Sequence, residues 1–307
     1  MMYVLLMIGF LLLIKGADFF VDGSSSIARI LKVPSVVIGL TLVAMGTSAP
    51  EASVSITAGL AGSSDISLGN IVGSNIFNLL MVVGVSAVII PVISHQDIIR
   101  RDFWWNIAAT ILLLFAMWDG TISRINGLVL IVAMVLYLFI VVRQAIKDRS
   151  SMEENTIPTM SVPKSIIFMI TGLAAVIIGG NLVVDNATLI AHSWGMSNTL
   201  IGLTIVAIGT SLPELVTSIV AARKGESGIA LGNAVGSCIF NILFILGIAS
   251  TLSPIHVAPQ LIIDTAILIG VSILIMVFAR SGQKTNRWEG LICIALYVAY
   301  SAYIIAR

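Results

Sequence analysis

The chain has 307 residues, 58% of them hydrophobic and only 10% charged, with a formal net charge of +1. Soluble domains carry about 25% charged residues, and a membrane span takes about 20 mostly apolar ones. The composition therefore excludes an ordinary soluble domain and specifies an integral membrane protein. The net charge says nothing about partners by itself, because its placement matters more than its sum.

Ten spans are expected, over residues 2–28, 35–60, 66–92, 103–119, 125–145, 164–191, 197–222, 228–253, 259–279 and 287–306. The first has no basic residue ahead of it and is interrupted near its end by Lys15 and Asp18. It reads as a span and not as a cleavable signal. The second carries Gly46-Thr47-Ser48-Ala49-Pro50-Glu51, with a carboxylate, two hydroxyls and a Gly/Pro pair where lipid alone would ask for apolar residues. Ionisable residues at membrane depth are costly and mark functional sites. A Gly/Pro break frees backbone groups that are tolerated only against protein or a water-filled cavity. The third span carries Gly69 to Asn78, in which Ser74 and Asn78 share one helical face.

The polar stretch from Lys147 to Lys164 divides the chain into two five-span halves: residues 1–146, a linker over 147–163, and 164–307. Adding 163 to a position in the first half gives its counterpart in the second without a gap. Residues 37–51 and 200–214 are identical at 11 of 15 positions, and 68–78 and 231–241 at 9 of 11. The hexad returns as Gly209-Thr210-Ser211-Leu212-Pro213-Glu214, and the stripe as Ser237 and Asn241. Paired broken helices in corresponding places are the sequence signature of a transporter site. Five spans per half force the second half to enter from the opposite side. Thirteen of the 16 Lys and Arg fall on one face if the N-terminus is outside. By the positive-inside rule, the expected fold is all-α, with ten transmembrane helices as two inverted five-helix repeats. Both termini are then extracellular and the linker is cytoplasmic.

Glu51 and Glu214 are the two deep acids, with no Lys or Arg expected at their depth. Asp65, Asp97, Asp102, Asp119, Asp148, Glu153, Glu154, Glu226, Asp264 and Glu289 read as solvated. Asp18, Asp22 and Asp185 read as wet positions on the first span of each half. His95, His192 and His256 fall at span ends, and Cys238 and Cys293 read as small buried residues. The site is thus expected to be built from oxygen: two carboxylates, two amides, hydroxyls and carbonyls. That set suits a hard cation such as Ca²⁺, which takes about 6–8 oxygen ligands, better than a soft metal.

With these paired motifs, Gly-Thr-Ser-x-Pro-Glu and Gly-Ser-x-x-x-Asn in both halves, the chain resembles the calcium/cation antiporter superfamily, in its prokaryotic sodium/calcium exchanger branch. The resemblance implies a site formed by the second, third, seventh and eighth helices, with discontinuous helices there. The first and sixth helices would slide across it. Carried over by position, it makes Thr47, Ser48, Glu51, Ser74, Asn78, Thr210, Ser211, Glu214, Ser237 and Asn241 the ligands, joined by the carbonyls of Ala44 and Ala207. Asn241 is a departure, because some members of the superfamily have Asp there. The expected function is exchange of Ca²⁺ for Na⁺ across the cell membrane by alternating access. No cofactor, enzyme activity, nucleic-acid partner or protein partner is expected; the partners are the two ions and the bilayer. The rival readings are proton/calcium exchange and, in another class, an ion channel. An intramembrane enzyme, with Glu51 and Glu214 as an acid/base pair, would need a nucleophile or a metal-bound water, and Ser48 and Ser211 lack a His or Lys partner.

Overall fold

The computed structural model describes residues 1–148, 160–196 and 207–306. Most of the linker, including Glu153 and Glu154, and residues 197–206 of the seventh expected span lie outside the described residues. The described part is helical, with four two-residue strands at the helix ends. Helix α1 (Met2–Leu31) stops where Lys32 turns left-handed (φ 54°) ahead of Pro34, whose ring disfavours helical backbone at the residue before it. Helices α2 (Ser35–Thr47) and α3 (Ala49–Leu60) meet at a 50° bend. Ser48, at φ −80° and ψ 9°, leaves the helical region there, and Pro50 has no N–H to give to the Gly46 carbonyl. Helix α4 (Ser64–Ile89) follows, then α5 (Phe103–Ala116), α6 (Arg124–Lys147) and α7 (Val162–Ser193). The short α8 (Ala207–Gly209) and α9 (Leu212–Arg223) repeat the break at Ser211. Helices α10 (Ser227–Leu252), α11 (Pro259–Arg280) and α12 (Arg287–Ala306) complete the chain.

Among the described residues, seven helices are long and apolar enough to cross a membrane, or eight if the bent pair α2/α3 is one span. In α4 and α10, 78% of the most apolar stretch is buried, against 28% in α6 and α7 and 17% in α12. Helices α4 and α10 are therefore the centre, and α6, α7 and α12 turn much of their apolar surface outward.

Contacts recur at the 163-residue offset. Strand β1 (Val92–Ile93) pairs antiparallel with β4 (Lys284–Thr285), and β2 (Thr121–Ile122) with β3 (Ile255–His256). Val92 lies opposite Thr285 and Ile255 opposite Ile122, the same pair with the halves exchanged. Helices α1 and α7 cross along a seam in which Gly9 meets Gly179 and Gly16 meets Gly172, again one pair seen twice. A Cβ on Gly16 would stand 2.8 Å from the Val176 nitrogen, so the seam admits no side chain there.

Two acids expected in solvent are buried instead. A π turn over Ile98–Asp102 extends α5 upstream and carries Asp102 inward to 0% exposure. Both of its oxygens are held by Arg101, at 2.8 and 3.0 Å, and Tyr137 donates to it at 3.1 Å. Asp264, 2% exposed, shares one face of α11 with Leu261, Thr265 and Leu268, all buried, and that face packs on protein. Asp65 and Asp119 are exposed as expected. Asp185 is also exposed, while Asp18 and Asp22 keep water access and pair with Lys224 at 3.4 and 2.7 Å. Both cysteines are free and buried.

Candidate ion-binding site

The two breaks, at Ser48 and Ser211, place a hydroxyl at the N-terminus of each following helix, with a glutamate in its first turn. The structure joins each break to the opposite half. Ser48 Oγ donates to Glu214 Oε1 at 2.9 Å, and Ser211 Oγ donates to Glu51 Oε1 at 2.9 Å. The serine of each central helix adds a longer contact: Ser74 to Glu51 Oε1 at 3.5 Å and Ser237 to Glu214 Oε1 at 3.4 Å. Ser237 also reaches the Ala44 carbonyl at 3.4 Å, which brings that carbonyl into the cluster. Thr47, Ser48, Glu51, Asn78, Ser211, Glu214, Ser237 and Asn241 are all 0% exposed, and Ser74 is 2% exposed. Thr210 is half-buried. Ala207 opens α8, and only its backbone is described.

Each carboxylate therefore uses one oxygen and leaves the other free. Glu51 Oε2, Glu214 Oε2, Asn78 Oδ1 and Asn241 Oδ1 are buried without a hydrogen-bond partner. None of the ion pairs among the described residues involves either glutamate. An ion buried without a partner costs several kcal/mol, and no basic side chain among the described residues compensates either glutamate. The available atoms are oxygen, and no three His, Cys, Asp or Glu among the described residues cluster in a way that would hold a resident metal.

Two residues outside the expected set shape the cluster. Asn233 accepts from Thr47 Oγ1 at 2.9 Å and donates to Ser218 Oγ at 2.9 Å and to the Glu214 carbonyl at 3.2 Å. Asn70 does the same in the other half, with Thr210 at 3.5 Å, Ser55 at 2.9 Å and the Glu51 carbonyl at 3.5 Å. These amides hold the threonines and the helix turns behind the glutamates. Their signal was in the sequence: Asn70 and Asn233 lie four residues before Ser74 and Ser237 and match at the 163 offset, as do Ser55 and Ser218. Asn78 and Asn241 each open a π segment, Asn78–Val82 and Asn241–Leu246, and such bulges concentrate at functional sites. The α10 face behind Ser237 is made of Gly232 and Gly236, against Leu40 and Ala44.

Comparison with known proteins gives the family. The family model described as sodium/calcium exchanger protein matches residues 1–143 and 164–306. A putative antiporter, CaxA of Alkalimonas amylolytica, is 38% identical over 307 residues, covering 97% of this chain and 96% of that protein. The sodium/calcium exchanger MaX1 of Methanosarcina acetivorans is 33% identical, covering 97% of each. The solved structure of the sodium-calcium exchanger NCX_Mj, soaked with zero Na⁺ and Ca²⁺, superposes with a TM-score of 0.87 at 35% identity, over 99% of this chain and 98% of that one. This multi-pass membrane chain therefore belongs to the sodium/calcium exchanger protein family, a family of transporters.

Proposed function

We propose that the chain is a secondary active antiporter that exchanges Ca²⁺ for Na⁺ across the cell membrane. The observation that carries this is the pair of fully buried glutamates, each with one free oxygen and each held by a serine of the opposite half. The proposed ligands are Glu51, Glu214, Asn78, Asn241 and the hydroxyls of Thr47, Ser48, Ser74, Thr210, Ser211 and Ser237, with the carbonyls of Ala44 and Ala207.

Antiport follows from electrostatics. Two carboxylates match one Ca²⁺, or two of several Na⁺. Closing the site with neither present would bury two uncompensated charges, at several kcal/mol each. Empty return is thereby suppressed, and the two ions alternate on the same carboxylates. The fold that supports this is proposed to be ten spans in two inverted repeats, residues 1–146 and 164–307, joined by the 147–163 linker. Residues 98–116 and the segment ending in α9 supply the two spans beyond the eight long apolar ones. The exchanged strand pairs and the exchanged glycine contacts support the repeat. The one-sided placement of Lys and Arg supports outside termini and an inside linker. Helices α1 and α7, packed together along the glycine seam, are proposed to move across the site.

Radiolabelled Ca²⁺ uptake into proteoliposomes tests the proposal, with an imposed Na⁺ gradient, a pH gradient or neither. Uptake driven by Na⁺ and absent with choline is expected. Uptake driven by the pH gradient alone would make the protein a proton/calcium exchanger. Uptake that needs no counter-gradient and saturates at no Ca²⁺ concentration would make it a channel.

A further inference from the structure

The two site amides are equivalent in sequence and unequal in structure. In the centre of the molecule Asn75 Nδ2 donates to the Cys238 carbonyl at 3.0 Å. A carbonyl only accepts, so the nitrogen end of Asn75 must face it. Asn75 Oδ1 then faces the other way, where Asn241 Nδ2 donates to it at 3.0 Å. Each orientation forces the next, and the backbone carbonyl sets the direction of both amides. The Asn241 NH₂ is thereby held away, and its Oδ1 is left buried and unpartnered.

The opposite half lacks this relay. The position 163 residues after Asn75 is Cys238, whose thiol donates weakly to the Asn75 carbonyl at 3.6 Å. No amide hydrogen-bonds to Asn78, and both of its polar side-chain atoms lack a partner.

We infer that Asn75 is a positioning residue, which turns Asn241 into an oxygen-only ligand for one transported cation while Asn78 is left without a fixed orientation. The inference rests on the proposed ion site and goes beyond it, since it makes the site asymmetric behind a symmetric set of ligands. A free amide presents a donor as readily as an acceptor, and a donor repels a cation. With its NH₂ held by Asn75, Asn241 presents only the acceptor. An ionised Asp at 241 would break the relay, because a carboxylate has no donor for Asn75 Oδ1.

The test is Na⁺-driven Ca²⁺ uptake into proteoliposomes by the wild type, Asn75→Ala, Asn241→Ala and the double variant. Cys238→Ala is the control, because the relay uses its backbone and not its thiol. Asn75→Ala is expected to raise the half-saturating cation concentration about tenfold, the low end for groups that orient metal ligands, with maximal rate near wild type and a melting temperature lowered by the loss of two buried hydrogen bonds. The double variant is expected to be no weaker than Asn241→Ala alone. Asn75→Leu, of similar size and apolar, serves if the alanine variant does not fold. Unchanged affinity in a folded position-75 variant, additive losses in the double variant, or a loss of melting temperature and rate without loss of affinity would each overturn the role assigned to Asn75. A wild type with no Na⁺-driven uptake would instead overturn the exchange reading itself.

Discussion

The first and second halves of the chain agree where the cluster is direct and diverge one layer behind it. Glu51 and Glu214, Ser48 and Ser211, and Asn70 and Asn233 make the same contacts with the halves exchanged. Behind them the pairs split. Asn75 corresponds to Cys238, and the hydroxyl of Thr217, buried and unpartnered, corresponds to Val54. Helix α1 is tied to the turn after α9 by Asp18 and Asp22 with Lys224 and by Arg29 with Glu226. The corresponding positions on α7 and in the first half are Asn181, Asp185, Ala61, His192 and Ser63, which offer no such set of opposite charges. Two copies of one motif thus supply the same atoms to the site while their supports differ.

The strongest way to break this comparison is at the glutamates. Glu51→Gln and Glu214→Gln each keep the shape and the serine contact and remove one charge, leaving a divalent ion partly uncompensated in a buried site. Both variants are expected to reduce Ca²⁺ exchange to background, and equally. Near-normal exchange in either, measured by Na⁺-driven uptake, removes that residue from the site.

A second comparison separates the amides. Asn241→Asp loses the donor to Asn75 Oδ1 and sets two oxygens against each other, whereas Asn78→Asp breaks no hydrogen bond. A lost buried hydrogen bond with an unsatisfied group costs about 1–3 kcal/mol. The melting temperature should therefore fall more for Asn241→Asp than for Asn78→Asp. Equal shifts in thermal unfolding would mean that the relay does not distinguish the halves.

Much of this was legible beforehand, for identifiable reasons. Helix limits followed to within a few residues from apolar runs, and the two breaks from Pro50 and Pro213. The glutamates stood out as ionisable groups without a basic neighbour. The pairing of Ser48 with Glu214 was not legible, because spacing along one helix reports faces and not partners in another half. The burial of Asp102 was missed because the helix starts earlier than its apolar run, through a π turn that has no sequence signature, and because its compensating charge, Arg101, is adjacent. Asn70 was legible in principle, as the first member of the stripe Asn70, Ser74, Asn78.

Smaller effects sharpen the contrast at the helix ends. Partly exposed ion pairs contribute about 0–1 kcal/mol. Lys224→Ala should therefore shift the balance between inward-facing and outward-facing states by up to about fivefold, read as a change in apparent Ca²⁺ affinity from one membrane side only. Ala61→Lys, at the matching position, breaks no ion pair and should do less. Equal effects from the two would show that the one-sided tie has no bearing on transport. The smallest effect expected is that of K⁺. With Asn at both 78 and 241, the deep cluster holds two carboxylates and none to spare for a further monovalent ion. Replacing K⁺ by choline at fixed Na⁺ and fixed membrane potential should leave exchange unchanged, and exchange that stops without K⁺ would show that two carboxylates suffice for a further monovalent ion.

The most direct test of the central claim, that Ca²⁺ and Na⁺ alternate on Glu51 and Glu214, is equilibrium binding of radiolabelled Ca²⁺ to the purified protein under Na⁺ titration. The account predicts saturable binding to the wild type, displaced completely by Na⁺ with a steeper than one-to-one dependence, and no saturable binding to Glu51→Gln or Glu214→Gln at the same concentrations. Saturable Ca²⁺ binding that persists in both variants, or that Na⁺ does not displace, would contradict it.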